Sequence, residues 1–165
     1  MRRGDEQVRH RRQPRHRTFS CLTLVCSLVA LLGPLQSTLY GQGTVSIRVQ
    51  VIHADNEPGG VDSRLGGLAA ELQRTFRYLK YELLDSPQGS AVLNQRWRTN
   101  LPGDRQLEIT PTAIQGYQYS LTVRVLSSTG QAMVNTGVRL RSGATVLVGG
   151  PSYQKGVLII AITAG

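Results

Sequence analysis

From residue 44 onward the chain contains no cysteine, which excludes a disulfide framework and any thiolate metal site in that span. It holds one histidine there, His53, so a serine nucleophile would have a single imidazole as its base, and no spacing nominates the serine. A Gly-x-Ser-x-Gly elbow, a His-Glu-x-x-His helix and a phosphate-binding glycine-rich loop are all missing. Acidic residues are few: eight are scattered over 44–165 against twelve basic ones, and they single out no carboxylate pair for acid–base catalysis. The balance of that span is +4, whereas the whole chain carries +9. A modest excess spread over separate strands is the mark of a solvated surface and argues against a nucleic-acid partner.

The remaining positive charge is concentrated at the start of the chain, where seven arginines lie between Arg2 and Arg17. An apolar run, Phe19 to Leu32, follows at once, then Gly33-Pro34 and the polar tail Gln36-Ser37-Thr38. A charged n-region, an h-region of suitable length and a breaker predict a secretory signal peptide over residues 1–43. Gly41-Gln42-Gly43 places small residues at the −3 and −1 positions for cleavage before Thr44, while a cut after Ser37 would put Leu35 at −3. An uncleaved anchor needs about 20 predominantly apolar residues, and the run reaches that length only by including Gly33, Pro34 and Gln36. Cys26 lies mid-run, where it does not suit lipid attachment, and Arg11-Arg12 is followed by Gln13-Pro14-Arg15 rather than by apolar residues. The expectation is an exported protein, periplasmic or extracellular, whose mature part, 44–165, has no membrane span.

That part fits one domain with a single core. The first strand pattern is Thr44–Ala54, in which Val45, Ile47, Val49 and Val51 alternate with Ser46, Arg48 and Gln50, as a half-buried strand should. Asp55-Asn56-Glu57-Pro58-Gly59-Gly60 is a loop by composition. Asp62 or Ser63 can then cap a helix over 62–76, in which Leu65, Leu68, Leu72 and Phe76 form an apolar face and Gly66-Gly67 weakens the first turn. Strand patterns follow at Tyr78–Leu84, Ala91–Leu101, Gln106–Pro111, Tyr117–Leu126, Ala132–Arg141, Thr145–Val148 and Val157–Thr163, with turn signals between them. The last has no polar face and belongs in the middle of the core. The predicted fold is mainly β: a single antiparallel β-sandwich of seven to eight strands with one helix, Leu65, Leu68, Leu72 and Phe76 being buried with Val49, Val51, Ile159 and Ile160.

On a strand His53 and Asp55 point the same way. With Glu57 or Asp62 as a third partner they could ligate a metal or form a base and its orienter; the plainer reading is a strand end entering a polar turn. The same loop does not suit calcium, because Pro58 and Gly59 interrupt the alternation of ligands and the twelfth position from Asp55 is Gly66 rather than glutamate. Tyr117 and Tyr119 share a face with Leu121, Val123 and Val125, which predicts core positions. Trp97 stands between Arg96 and Arg98, a combination common at interaction sites and also an ordinary way to anchor a sheet. Arg96, Arg98, Arg124, Arg139 and Arg141 fall on the strand faces opposite their apolar neighbours, so they make one basic sheet face if their strands are adjacent.

The stretch Ser142-Gly143-Ala144-Thr145-Val146-Leu147-Val148-Gly149-Gly150 resembles a short hairpin segment of the pore-forming region of bacterial secretins, the outer-membrane channels of secretion and pilus systems. Pro151-Ser152-Tyr153-Gln154-Lys155 departs from that pattern, and the whole chain more closely resembles a small exported bacterial protein. The residues point to no cofactor, no metal and no catalytic group. The function expected is a non-catalytic binding or structural module of the bacterial cell envelope, with an unknown envelope protein as partner and an accessory of a secretion or pilus apparatus as its specific form. The alternative is a small carboxylate-based or metal-assisted hydrolase using His53, Asp55 and Glu57.

Overall fold

A computed structural model describes residues 43–165, so nearly all of the segment read as a signal peptide, 1–43, lies outside the described residues. The strands are β1 (Thr44–Asp55), β2 (Gly60–Val61), β3 (Lys80–Asp85), β4 (Gln88–Val92), β5 (Trp97–Leu101), β6 (Arg105–Gln115), β7 (Gln118–Leu126), β8 (Ala132–Arg141), β9 (Thr145–Tyr153) and β10 (Gly156–Ala164). Between β2 and β3 lie a 3-10 segment, Ser63–Leu68, and a short helix α1, Ala69–Thr75. Sheet A runs β2-β3-β1-β10-β9, and β4 also pairs with β1; sheet B is the meander β5-β6-β7-β8. All pairings are antiparallel except β2 with β3. Over the described residues the fold is thus the two-sheet sandwich that the periodicity predicts, with ten strands rather than seven or eight.

The edge of β1 away from β10 is shared by two strands. β4 pairs with Thr44–Arg48 and β3 with Val51–Asp55. At the gap between them the Val49 amide donates to the Pro87 carbonyl at 2.9 Å, so the break leaves no unpaired donor there.

Two cores result, one on each face of sheet A. Val45, Ile47, Val49 and Val51 of β1 and Leu158, Ile160 and Ile162 of β10 meet Leu107, Ile109, Leu121, Val123 and Val125 of sheet B. The opposite face is covered by the helical segment only where β1 turns from polar to apolar. Ser46 and Gln50 face outward, but Ile52 and Ala54 are buried with Ile159, Ala161, Tyr81, Leu65 and Leu72. Each fully buried side chain of that size contributes roughly 1.5–3 kcal/mol. The fully apolar sequence of β10 follows, because this strand lies between β1 and β9 and is covered on both faces. Val49, Val51 and Ile160 therefore do not pack with the helix, as expected from a single core, but on the far side of the sheet from it.

The helix is not continuous over 62–76. Gly66, at φ 49° and ψ −122°, puts a non-helical kink inside the 3-10 segment, and the α-helical hydrogen-bonding of α1 begins only at Ala69. Asp62 is the cap: its carboxylate accepts from the Arg64 amide at 2.9 Å and holds the Arg64 guanidinium at 2.6 Å. Those contacts hold the Asp62 carboxyl well below the usual carboxylate range. At the other end the Tyr81 hydroxyl, within the core, donates to the Phe76 carbonyl at 2.6 Å and fixes where α1 stops.

Two further expectations are corrected, and the choice left open for Trp97 is decided. Ala91–Leu101 is not one strand: the chain turns at Asn94, which has φ 62°, and passes from β4 in sheet A to β5 in sheet B. Tyr117 sits in the β6–β7 turn at 84% exposure, while Tyr119 does pack against the inter-sheet core. Trp97 also belongs to that core, its ring lying over Gly89, where any side chain would strike it. Among the described residues no helix is long and apolar enough to cross a membrane.

Candidate functional site

The first candidate is the C-terminal end of β1. His53 and Asp55 do share a face and are both buried, with Nδ1 and Oδ2 3.5 Å apart. Tyr153, from the end of β9, closes over the imidazole edge-on with ring centroids 5.4 Å apart, and the His53 Nε2 has no hydrogen-bond partner among the described residues. Glu57 stands at the rim of the same small cavity, of about 260 Å³, so the structure brings together the three residues of the hydrolase reading. Asp62, the other candidate partner, is engaged by Arg64 at the helix cap instead.

The lysines decide what this end can do. Lys80 Nζ lies 3.9 Å from Asp55 and 3.4 Å from Glu82, and Lys155 Nζ donates to Glu57 at 2.8 Å. The Glu57 carboxylate holds the Lys155 ammonium above the usual lysine range, chiefly through that hydrogen bond. A cation entering here would have to displace two ammonium groups. Among the described residues no three histidine, cysteine, aspartate or glutamate side chains are placed to hold a metal. The chemistry of this end is that of an ion-paired strand terminus.

The second candidate is the outer face of sheet B. Cross-strand pairing puts Arg98 of β5, Glu108 of β6 and Arg124 of β7 in one row, because Arg98 pairs with Glu108 and Glu108 with Arg124. Leu107 and Ile109 on either side of Glu108 point into the sandwich, so the carboxylate points out. It is nevertheless buried, and arginines bury it. Arg98 Nε donates to Oε1 at 2.9 Å, Arg96 Nη1 to the same oxygen at 3.2 Å, and Arg124 Nη1 to Oε2 at 3.2 Å. The Glu108 side chain is 2% exposed, whereas those of the three arginines are 37–52% exposed. One carboxylate thus anchors three cations whose side chains remain partly exposed.

β8 extends the same face. Arg139 pairs with Ser120 and Arg141 with Gln118, all outward, and both arginines are exposed without an ion pair to any described residue. Of the five arginines read from the sequence as opposite to the apolar positions, Arg98, Arg124, Arg139 and Arg141 lie on β5, β7 and β8 of one sheet and Arg96 stands just before β5, and together they form one basic face. Glu108 was not distinguishable among eight scattered acidic residues. Its signal is its outward position on the strand between Arg98 and Arg124, which is visible only once the strand order is known.

No protein-family model matches the chain, and neither a curated protein nor a solved structure matches it.

Proposed function

We propose that this protein is a non-catalytic binding module of the bacterial cell envelope that works through the outer face of sheet B. The observation that carries this reading is the guanidinium cluster ordered over Glu108. A buried carboxylate on the outside of a sheet is expensive unless several charged partners hold it, and here the holding leaves a net positive, solvent-facing array. The other large surface of the sandwich is partly covered by the helical segment, whereas nothing among the described residues covers this one. The signal-like N-terminal sequence supports export, and an accessory role beside a secretion or pilus apparatus is its specific form. The ion pairs that Lys80 and Lys155 make around Asp55 and Glu57 weigh against the hydrolase alternative.

Fractionation tests the proposal. Full-length protein expressed in a bacterial host is expected in the envelope fraction, and the purified chain should sediment with washed envelopes. The double variant Arg139→Glu/Arg141→Glu should remain in the supernatant. A wild-type chain that stays in the supernatant, or a variant that sediments equally well, overturns the reading.

A further inference from the structure

The outer face of sheet B carries more than charge. Between its arginines lie rows of hydroxyl and amide side chains: Thr110 and Gln106 on β6, Ser120 and Thr122 on β7, and Asn135 on β8. A depression of about 430 Å³ opens over Gly137, walled by Thr112, Ser120, Thr122 and Arg139. It exists because β8 has glycine directly opposite Thr122, and a Cβ built on Gly137 would meet no atom within 4 Å. The neighbouring outward positions carry Arg124 beside Thr122 and Arg139 beside Ser120, so cations flank the depression on both sides.

The chemistry of this face discriminates among anionic partners. A protein partner would want aromatic or apolar anchors at the centre of its footprint, and the outward positions of β5 to β8 hold no aromatic residue; their large apolar side chains, Leu126 at the end of β7 and Met133 on β8, stand at the margin. Single-stranded nucleic acid is held by stacking on aromatics, and duplex DNA is read by elements that enter a groove. A lipid surface would be gripped by apolar side chains inserted beside the charges. What remains is a ligand recognised by many hydrogen bonds and by carboxylates, which guanidinium groups bind in bidentate fashion. Each arginine has five N–H donors. Arg98 and Arg124 spend one each on Glu108 and make no other side-chain hydrogen bond among the described residues, and both side chains are partly exposed.

We infer that the outer face of sheet B binds an acidic polysaccharide, laid across β5 to β8 with a sugar seated over Gly137 and its carboxylates on Arg139, Arg124 and Arg98. The inference rests on the binding-module reading above and names the ligand class of that same face.

The test measures binding of the full-length chain to oligogalacturonate, with neutral dextran, anionic phosphatidylglycerol vesicles, duplex DNA and poly-glutamate as comparators at physiological salt. Oligogalacturonate should bind more tightly than every comparator. Arg139→Gln/Arg141→Gln, which leaves the Glu108 cluster whole, should weaken binding roughly tenfold or more. Gly137→Thr should do likewise with no change of charge, and it should fold normally because threonine suits a strand and has open space there. Equal binding by the Gly137→Thr variant would show that the anion is held by diffuse charge, and the seated-sugar inference falls. Tighter binding of vesicles, DNA or poly-glutamate overturns the ligand class. In that case face-dependent sedimentation with envelopes still stands for the broader reading, so the two failures are distinguishable.

Discussion

Replacing Glu108 and replacing its arginines should have unequal consequences, and the inequality can be worked out from burial. Glu108→Gln removes a charge that is 2% exposed and leaves three guanidinium groups that are 37–52% exposed. Those cations can turn to water, so the loss is limited to three charge-assisted hydrogen bonds with half-exposed donors, partly replaced by the amide. About 1 kcal/mol is expected. The triple variant Arg96→Gln/Arg98→Gln/Arg124→Gln leaves the carboxylate enclosed by sheet and side chains without a cation, the situation in which a broken buried pair costs about 3–5 kcal/mol. For a domain of this size 1 kcal/mol moves the melting midpoint by roughly 4 °C, so the two variants should melt about 10 °C apart. Thermal and urea unfolding of the purified proteins would measure this, with Glu108→Gln the milder change. Equal destabilisation would mean that Glu108 is held for its own hydrogen bonds to the sheet rather than by the arginines, and the ordered cationic face would lose its basis.

Other perturbations address the scaffold. Leu72→Ala empties a fully buried position beneath α1 and should lower stability by about 2–4 kcal/mol in urea unfolding, whereas Leu68→Ala, half-buried, should lower it by less. Gly156→Ala would drive a methyl into the Ala54 carbonyl oxygen, a backbone atom that cannot turn aside, and should cost roughly 1–3 kcal/mol by the same measurement. A chain lacking residues 157–165 loses most of β10, the strand buried on both faces, and should show no cooperative melt. Asp62 has a folded pKa depressed below its ordinary 3.8. Its contribution is therefore present above that value and lost only as pH falls through the lower folded one. Carboxyl NMR shifts at about pH 3 should still show Asp62 ionised, when a free aspartate is mostly protonated.

How much of this was legible in the sequence depended on whether the information was local. β8 was read to its boundaries, and β1 and β10 within a residue or two, because alternation or its absence reports burial directly. The β4–β5 switch was not, since alternation runs unbroken through Asn94 while the backbone reverses; an asparagine that tolerates positive φ was the one available sign. The apolar face of residues 65–76 was clear, but which side of a sheet lies beneath it is a tertiary fact, so two cores were taken for one. Tyr117 had the right parity for the core and the wrong neighbour, Gly116, at φ 58° in the turn. At the candidate face the arginines were visible as a pattern. Glu108 acquired meaning only from its pairing with Arg98 and Arg124.

The sheet order also sets a timetable for folding. The strands of sheet B are consecutive, so each can join its predecessor over a short loop. Sheet A has no such local route at its centre, because Ile47 pairs with Ala164 and Val51 with Ile160. Closing a contact of that separation is slow. Until it closes, β1 presents an unpaired apolar edge. The arginine-bearing meander can therefore be in place while the first strand of the domain still awaits its partner, and a chain stalled at that stage would be prone to pair with another copy of itself along β1.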